Sequence, residues 1–263
     1  MEIDSPLRGE CAIGVVGGQW CFIPPNPIVD EIRKEISKYG NPKQSQLRNS
    51  FNALNTRVLS SYPMNVQLFT AYEIFQSHPQ LKIIGIYIIL HHLEHLTQHH
   101  LEDIGMILDT SIKDHAVVES IATKLLFPLI ETRPDVFLEP LKAWKDSQKQ
   151  WRMRACCSAF TRYRKDKGGE QIWEVCEACV HSKDRFVQSG VGCSLKELVT
   201  VDEEMVISFI RKNIQYFSRD GLKYSVEKIK DPSVKRELLG LGRTRQSNDP
   251  VGARNRLSSE DYP

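Results

Sequence analysis

The sequence predicts an all-α protein, an α-solenoid assembled from helix pairs. Three observations carry that expectation. Apolar residues recur at helical spacing along most of the chain, while alternating β-branched runs bounded by turns do not appear. The junctions between these stripes are short and hold Pro, Gly, Asn or Ser. Three stretches in the second half also resemble one another at intervals of a few tens of residues, as stacked helix pairs do.

Taken in order, helices are expected over 27–38, 42–59, 64–77 and 80–97, the last two separated by Ser77-His78-Pro79-Gln80. Segments 99–109 and 113–131 follow, and Thr132-Arg133-Pro134-Asp135 closes the second and opens 134–146. Beyond 148–165, the stretch "DKGGE" (Asp166 to Glu170) interrupts the pattern before 170–181. Segments 184–198 and 203–215 come next, and "FSRDG" (Phe217 to Gly221) introduces 219–230. Residues 1–24 and the basic tail 233–263 lack periodicity and are expected to be flexible, which leaves a helical repeat domain over 25–232.

Composition narrows the class. A chain of 263 residues with 41% hydrophobic and 26% charged residues can bury a sizeable core, and it is neither a disordered nor a membrane composition. No apolar run approaches the roughly 18 residues of a membrane span. The start "MEIDSPLRGECAIGVVGGQW" has acids early and no charged-then-apolar signal design, so an intracellular protein of nucleus or cytoplasm is expected. Seven scattered cysteines fit a reducing compartment. Cys176 and Cys179 form one C-x-x-C with no second pair, which favours two core thiols over a zinc site. Net charge is only +2, yet residues 141–230 hold 18 Lys/Arg against 12 Asp/Glu, and a polarised basic half suggests a polyanionic partner.

Five of the eight histidines fall in "ILHHLEHLTQHHLED", which contains the H-x-x-E-H spacing of inverted zinc peptidases at His91, Glu94 and His95. On a continuous helix, Ile89, Leu90, Leu93 and Leu96 span about 140° to 260° from His91, with His95 and His99 at about 40° and 80°. The histidines then lie opposite the apolar face, where no walled cleft surrounds a catalytic zinc. No metal and no cofactor is expected.

The internal resemblance lies in "WRMRACCSAF" from Trp151, "FVQSGVGCSL" from Phe186 and "FSRDGLKYSV" from Phe217. Each opens on an aromatic and has a small residue four positions on (Ala155, Gly190, Gly221). Each has another small residue at eight (Ala159, Ser194, Ser225), then an apolar one (Phe160, Leu195, Val226). Small residues at i+4 and i+8 make one stripe along which a neighbouring helix can approach closely. Such a repeat points to HEAT-like or armadillo-type helix pairs. The same packing accounts for Gly190-x-Gly192, which follows no strand.

Four segments carry a resemblance to a known family. "WKDSQKQWRMRACCSAF" (Trp144 to Phe160) resembles the W-x-x-S-x-x-x-W-x-x-R-A segment of the DNA alkylation repair family, the AlkD-like HEAT-repeat proteins. "DRFVQSGVGCSLKELV" (Asp184 to Val199) resembles its R-F-V-Q-K-G-x-G-W-x-L-R-E helix. "YFSRDGLKYSVEKI" (Tyr216 to Ile229) is similar to its S-R-E-G-L-R-Y-A-x-E-K helix, and "KDHAVVESIATKLLFPLI" from Lys113 to its D-W-A-x-x-D-x-L segment. The resemblance covers residues 80 to 230 in order. It implies a curved α-solenoid whose concave basic face holds double-stranded DNA through its backbone. It also implies glycosylase removal of N3- or N7-alkylated purines without base extrusion, by a monomer.

Residue by residue, the resemblance implies a catalytic set of Trp144, Gln148 and Arg185, with Lys149, Arg152, Arg154, Lys183, Arg185 and Arg219 along the DNA. Departing cationic base leaves an oxocarbenium-like sugar, which a carboxylate and aromatic faces stabilise. Three family positions differ. Gln148 stands where an Asp is expected four residues after Trp144, and a neutral amide cannot do a carboxylate's work. His115 replaces the Trp of D-W-A, and Cys193 replaces the Trp of G-W. Two alternatives therefore stand beside the glycosylase: a non-catalytic HEAT-repeat protein that binds damaged or branched DNA, and a protein–protein interaction scaffold. Arg185 opens a helix, where a bound phosphate would explain a cation facing the positive end of the dipole.

Overall fold

A computed structural model describes residues 14–16, 19–21, 26–163 and 169–246. The body is all-helical. The N-terminal stretch expected to be loose contains a small antiparallel hairpin, Gly14–Val16 with Gln19–Cys21, pairing Val15 with Trp20. The remainder of the expected flexible segments, 1–13, 17–18, 22–24 and 247–263, lies outside the described residues, as does most of "RYRKDK". No helix among the described residues is long and apolar enough to cross a membrane. The chain divides into two compact units, 1–168 and 169–263.

The first unit holds α1 (Pro27–Ser37), α2 (Gln44–Arg57), α3 (Met64–Ser77), α4 (Lys82–His91), α5 (Gln98–Thr110), α6 (His115–Ile121), α7 (Phe127–Thr132), α8 (Pro134–Lys142) and α9 (Gln150–Tyr163). Asn26 caps α1, its side-chain oxygen accepting from Ile28 N, and Pro27 occupies the first turn where no N–H is needed. Successive contacts form two rows, one of α1, α3, α5 and α8, the other of α2, α4, α6 and α9. Between the rows lie Ile32, Leu54, Leu68, Ile84, Leu101, Ile121 and Leu125, all essentially inaccessible. A five-residue π stretch, Ala122–Leu126, joins α6 to α7, so the helix expected over 113–131 is continuous.

The helix expected over 80–97 breaks. α4 ends at His91, a 3-10 turn covers Leu93–His95, and Thr97 caps α5. The reason is a capping box in which His100 takes the usual Glu position: its Nδ1 accepts from Thr97 N at 3.0 Å. His91, His95 and His99 are exposed, as expected, but they share no helical stripe. His92 is half-buried and His100 fully buried, and burial lowers both imidazoles from an ordinary value near 6.5 to about 4.

The second unit holds α10 (Glu170–Cys179), α11 (Arg185–Leu198), α12 (Glu203–Asn213), α13 (Arg219–Ser225) and α14 (Pro232–Gln246). α14 corrects the aperiodic tail. Asp231 accepts from Ser233 N at 2.7 Å to start it, and Leu238 is fully buried. Cys176 and Cys179 are buried in α10. α11 and α13 run side by side in the same direction. A Cβ on Gly192 would lie 2.4 Å from Gly221 O, so only glycine permits this approach. Ala155, Ala159, Ser194 and Ser225 are buried, in keeping with the small-residue stripe. Phe217 departs from the pattern, because Ser218 caps α13 and leaves Phe217 outside it.

One side-chain device recurs in both units. Gln67, in the first turn of α3, donates to Leu59 O and Tyr62 O of the preceding loop, and its Oε1 accepts from His92 Nε2 in the next loop. Gln188, at the matching place in α11, donates to Val180 O and Ser182 O and accepts from Ser218 N. Because both Gln67 donor hydrogens go to carbonyls, His92 must carry its proton on Nε2.

Candidate functional site

Asp114 caps α6 by accepting from Ala116 N at 2.8 Å. One turn after His115, and just before the π stretch, α6 presents Glu119 toward α9. There Ser158 Oγ donates to Glu119 Oε2 at 2.8 Å, and Arg154 Nη2 lies 3.6 Å from the same oxygen. Arg154 and Ser158 stand one turn apart and are buried, whereas the Glu119 side chain is 45% exposed. The result is a carboxylate anchored from beneath and open above. His115 is exposed, its Nδ1 3.8 Å from Asp114 Oδ1. π stretches inside helices often accompany functional positions because they displace the side chains of one turn.

Arg152 points away from that pair, toward α5. Its Nε donates to Asp109 Oδ2 and its Nη1 to Glu102 Oε2, each at 2.8 Å. The guanidinium lies flat on the helix at Gly105, where a Cβ would come within 2.5 Å of Cζ. Its other side faces the Trp144 ring, 5.2 Å from the centroid. Trp144 is buried, and among the described residues neither its Nε1 nor Asp109 Oδ1 has a hydrogen-bond partner. Burial holds the Asp109 carboxyl above its ordinary range, outweighing the pull of Arg152.

The resemblance puts Gln148 four residues after Trp144, across the boundary expected between helices 134–146 and 148–165. In the structure the two share no helix. Trp144 sits in a 3-10 turn, Ala143–Asp146, and α9 begins only at Gln150. Between them Gln148 is exposed, with a left-handed φ of 58°. Lys149 is exposed beside it, and Asp146 pairs with Lys145 at 2.6 Å.

The remaining expected cations belong to the second unit. Lys183, Arg185 and Arg219 are exposed near the starts of α11 and α13. Asp184 caps α11 by accepting from Phe186 N and Val187 N, so those two amides are already satisfied. The Arg185 guanidinium lies 4.6 Å over the Phe186 ring.

Glu119 is the residue that attention to Trp144 and Gln148 overlooks. The signal was present: in "KDHAVVES" the second acid of D-W-A-x-x-D falls on Glu119. Among the described residues, no three His, Cys, Asp or Glu side chains are grouped to hold a metal ion. In comparison with known proteins, no curated protein matches the chain. A family model described as DNA alkylation repair enzyme matches residues 73–229, more than half of the sequence and inclusive of Glu119, Trp144, Arg154 and Arg185. The chain belongs to the DNA alkylation repair enzyme family.

Proposed function

We propose that this protein binds double-stranded DNA and releases cationic N3- or N7-alkylated purines, with Glu119 as the working carboxylate. The observation that carries this reading is the anchoring of Glu119 Oε2 by Arg154 and Ser158 while the side chain stays half exposed. The fixed charge is then oriented without being sealed from substrate. As the glycosidic bond breaks, its electron pair moves onto the base nitrogen and cancels the base's positive charge. The sugar becomes oxocarbenium-like, and the Glu119 carboxylate stabilises it. Water adds to the anomeric carbon and gives its proton to that carboxylate. Arg154 acts by fixing the carboxylate, and Gln148 takes no part in the chemistry. The HEAT-like pairing of helices proposed for each unit rests on the two rows of the first and the shared Gln67 and Gln188 device.

A second reading has its own support. Lys183, Arg185 and Arg219 are exposed cations with no ion pair found among the described residues, as phosphate contacts require. These favour DNA binding whether or not Glu119 is active. Base release from alkylated duplex, measured beside binding at two salt concentrations, separates the readings. Release that disappears in Glu119→Gln supports the glycosylase. Salt-sensitive binding without release supports the non-catalytic binder, and neither leaves a protein scaffold.

A further inference from the structure

Gln188 does more than brace one helix. By bonding Val180 O, Ser182 O and Ser218 N together, it sets the α10–α11 loop beside the α12–α13 loop. Two rings meet there: His181 and Tyr216 pack edge to face with centroids 4.1 Å apart. Tyr216 nevertheless remains 44% exposed. Lys183, Arg185 and Arg219 stand on the same two loops and first turns. The acids nearby are largely engaged. Asp184 caps α11, and Glu177 takes Lys212 at 2.7 Å and Asn213 at 3.3 Å, with His181 close enough to help hold its carboxyl low. Asp220 is exposed beside Arg219.

We propose that this edge of the second unit binds unpaired nucleotides, with a base stacked on Tyr216 beside His181 and the flanking phosphates against Lys183, Arg185 and Arg219. Cations alone would serve a duplex equally well. An open aromatic ring among them would not, because duplex bases are stacked on one another and offer no free face. A single strand offers both a free base and a flexible phosphate chain, which is the pairing of stacking platform and positive track seen here. The inference rests on the DNA-binding part of the proposed function and is independent of Glu119.

The test uses the full-length protein with a labelled single-stranded oligonucleotide and the duplex of the same sequence. Tyr216→Ala is expected to weaken single-strand binding about tenfold, the scale of one lost base–aromatic stack. Duplex affinity should stay within about twofold of the parent, and Tyr216→Phe should retain single-strand binding in full. Arg219→Ala should weaken both ligands and flatten the salt dependence. Equal effects of Tyr216→Ala on both ligands, or none on either, overturn the inference while leaving the Glu119 reading untouched. So does an absence of single-strand binding. Loss of base release in Glu119→Gln with single-strand binding unchanged shows that the two sites act separately.

Discussion

Arg152 reaches from α9 to Asp109 on α5, Nε to Oδ2, at 2.8 Å, with the two side chains only 13% and 15% exposed. Resemblance to the family puts Arg152 on DNA, but its guanidinium already has two carboxylates and a tryptophan face. Replacing Arg152 with Ala leaves the Asp109 charge uncompensated in a buried setting. Stability should fall by about 3 kcal/mol. Asp109→Asn should cost less, since burial already disfavours that carboxylate and Glu102 still holds the arginine. Denaturant titration of the two variants checks the order. If Arg152→Ala is stable and loses DNA affinity instead, Arg152 is a phosphate contact.

Gln148 carries a left-handed φ of 58°, which costs a side-chain-bearing residue about 1 kcal/mol. Gln148→Gly should therefore be neutral or stabilising by a few tenths of a kcal/mol, after the extra chain entropy of glycine. A β-branched Gln148→Val should lower stability by about 2 kcal/mol. Thermal melts read both. Base release should be unaffected in Gln148→Gly, and a fall in release at unchanged melting temperature would give Gln148 a chemical role.

His100 sets a pH dependence. Burial, with a smaller contribution from the charge of His99, brings its folded value to about 4, below an unfolded value near 6.5. The unfolded chain thus binds the proton first. Stability is full above about pH 6.5 and declines as pH falls toward 4, by up to about 1.4 kcal/mol per pH unit for this ring. His92, lowered to about 4 by burial and then by His91, His95 and His100, adds a decline of the same sign over the same window. Gln can fill the capping-box position without a titrating group, so His100→Gln should flatten the curve between pH 7 and 5. A slope identical to the parent's would show that His100 is not the group responsible.

Much of the fold was legible in the sequence because helical periodicity and Pro or Gly junctions report directly on burial and backbone freedom. The starts of α3, α8, α11 and α12 fall within about one residue of expectation for that reason. The break after His91 was hidden because its cap uses a histidine in place of the Glu or Gln that signals a capping box. α14 was hidden because a short apolar stripe, Val234 and Leu238, is diluted by charges in a single helix. For the site, the segment bearing Glu119 was recognised but its acid was not. Which carboxylate meets Arg154 depends on the packing of α6 against α9, and that is a tertiary contact no one-dimensional spacing encodes. The tie between Gln67 and His92 is of the same kind.

The central claim is that Glu119, seated on Arg154 and Ser158, is the carboxylate of an alkylpurine glycosylase. It is tested most directly by single-turnover base release from N7-methylated duplex with the parent protein, Glu119→Gln and Gln148→Gly. The account predicts release by the parent, a loss of about a hundredfold or more in Glu119→Gln with its fold intact, and parental release in Gln148→Gly. Undiminished release from Glu119→Gln, or none from the parent at micromolar protein, contradicts it.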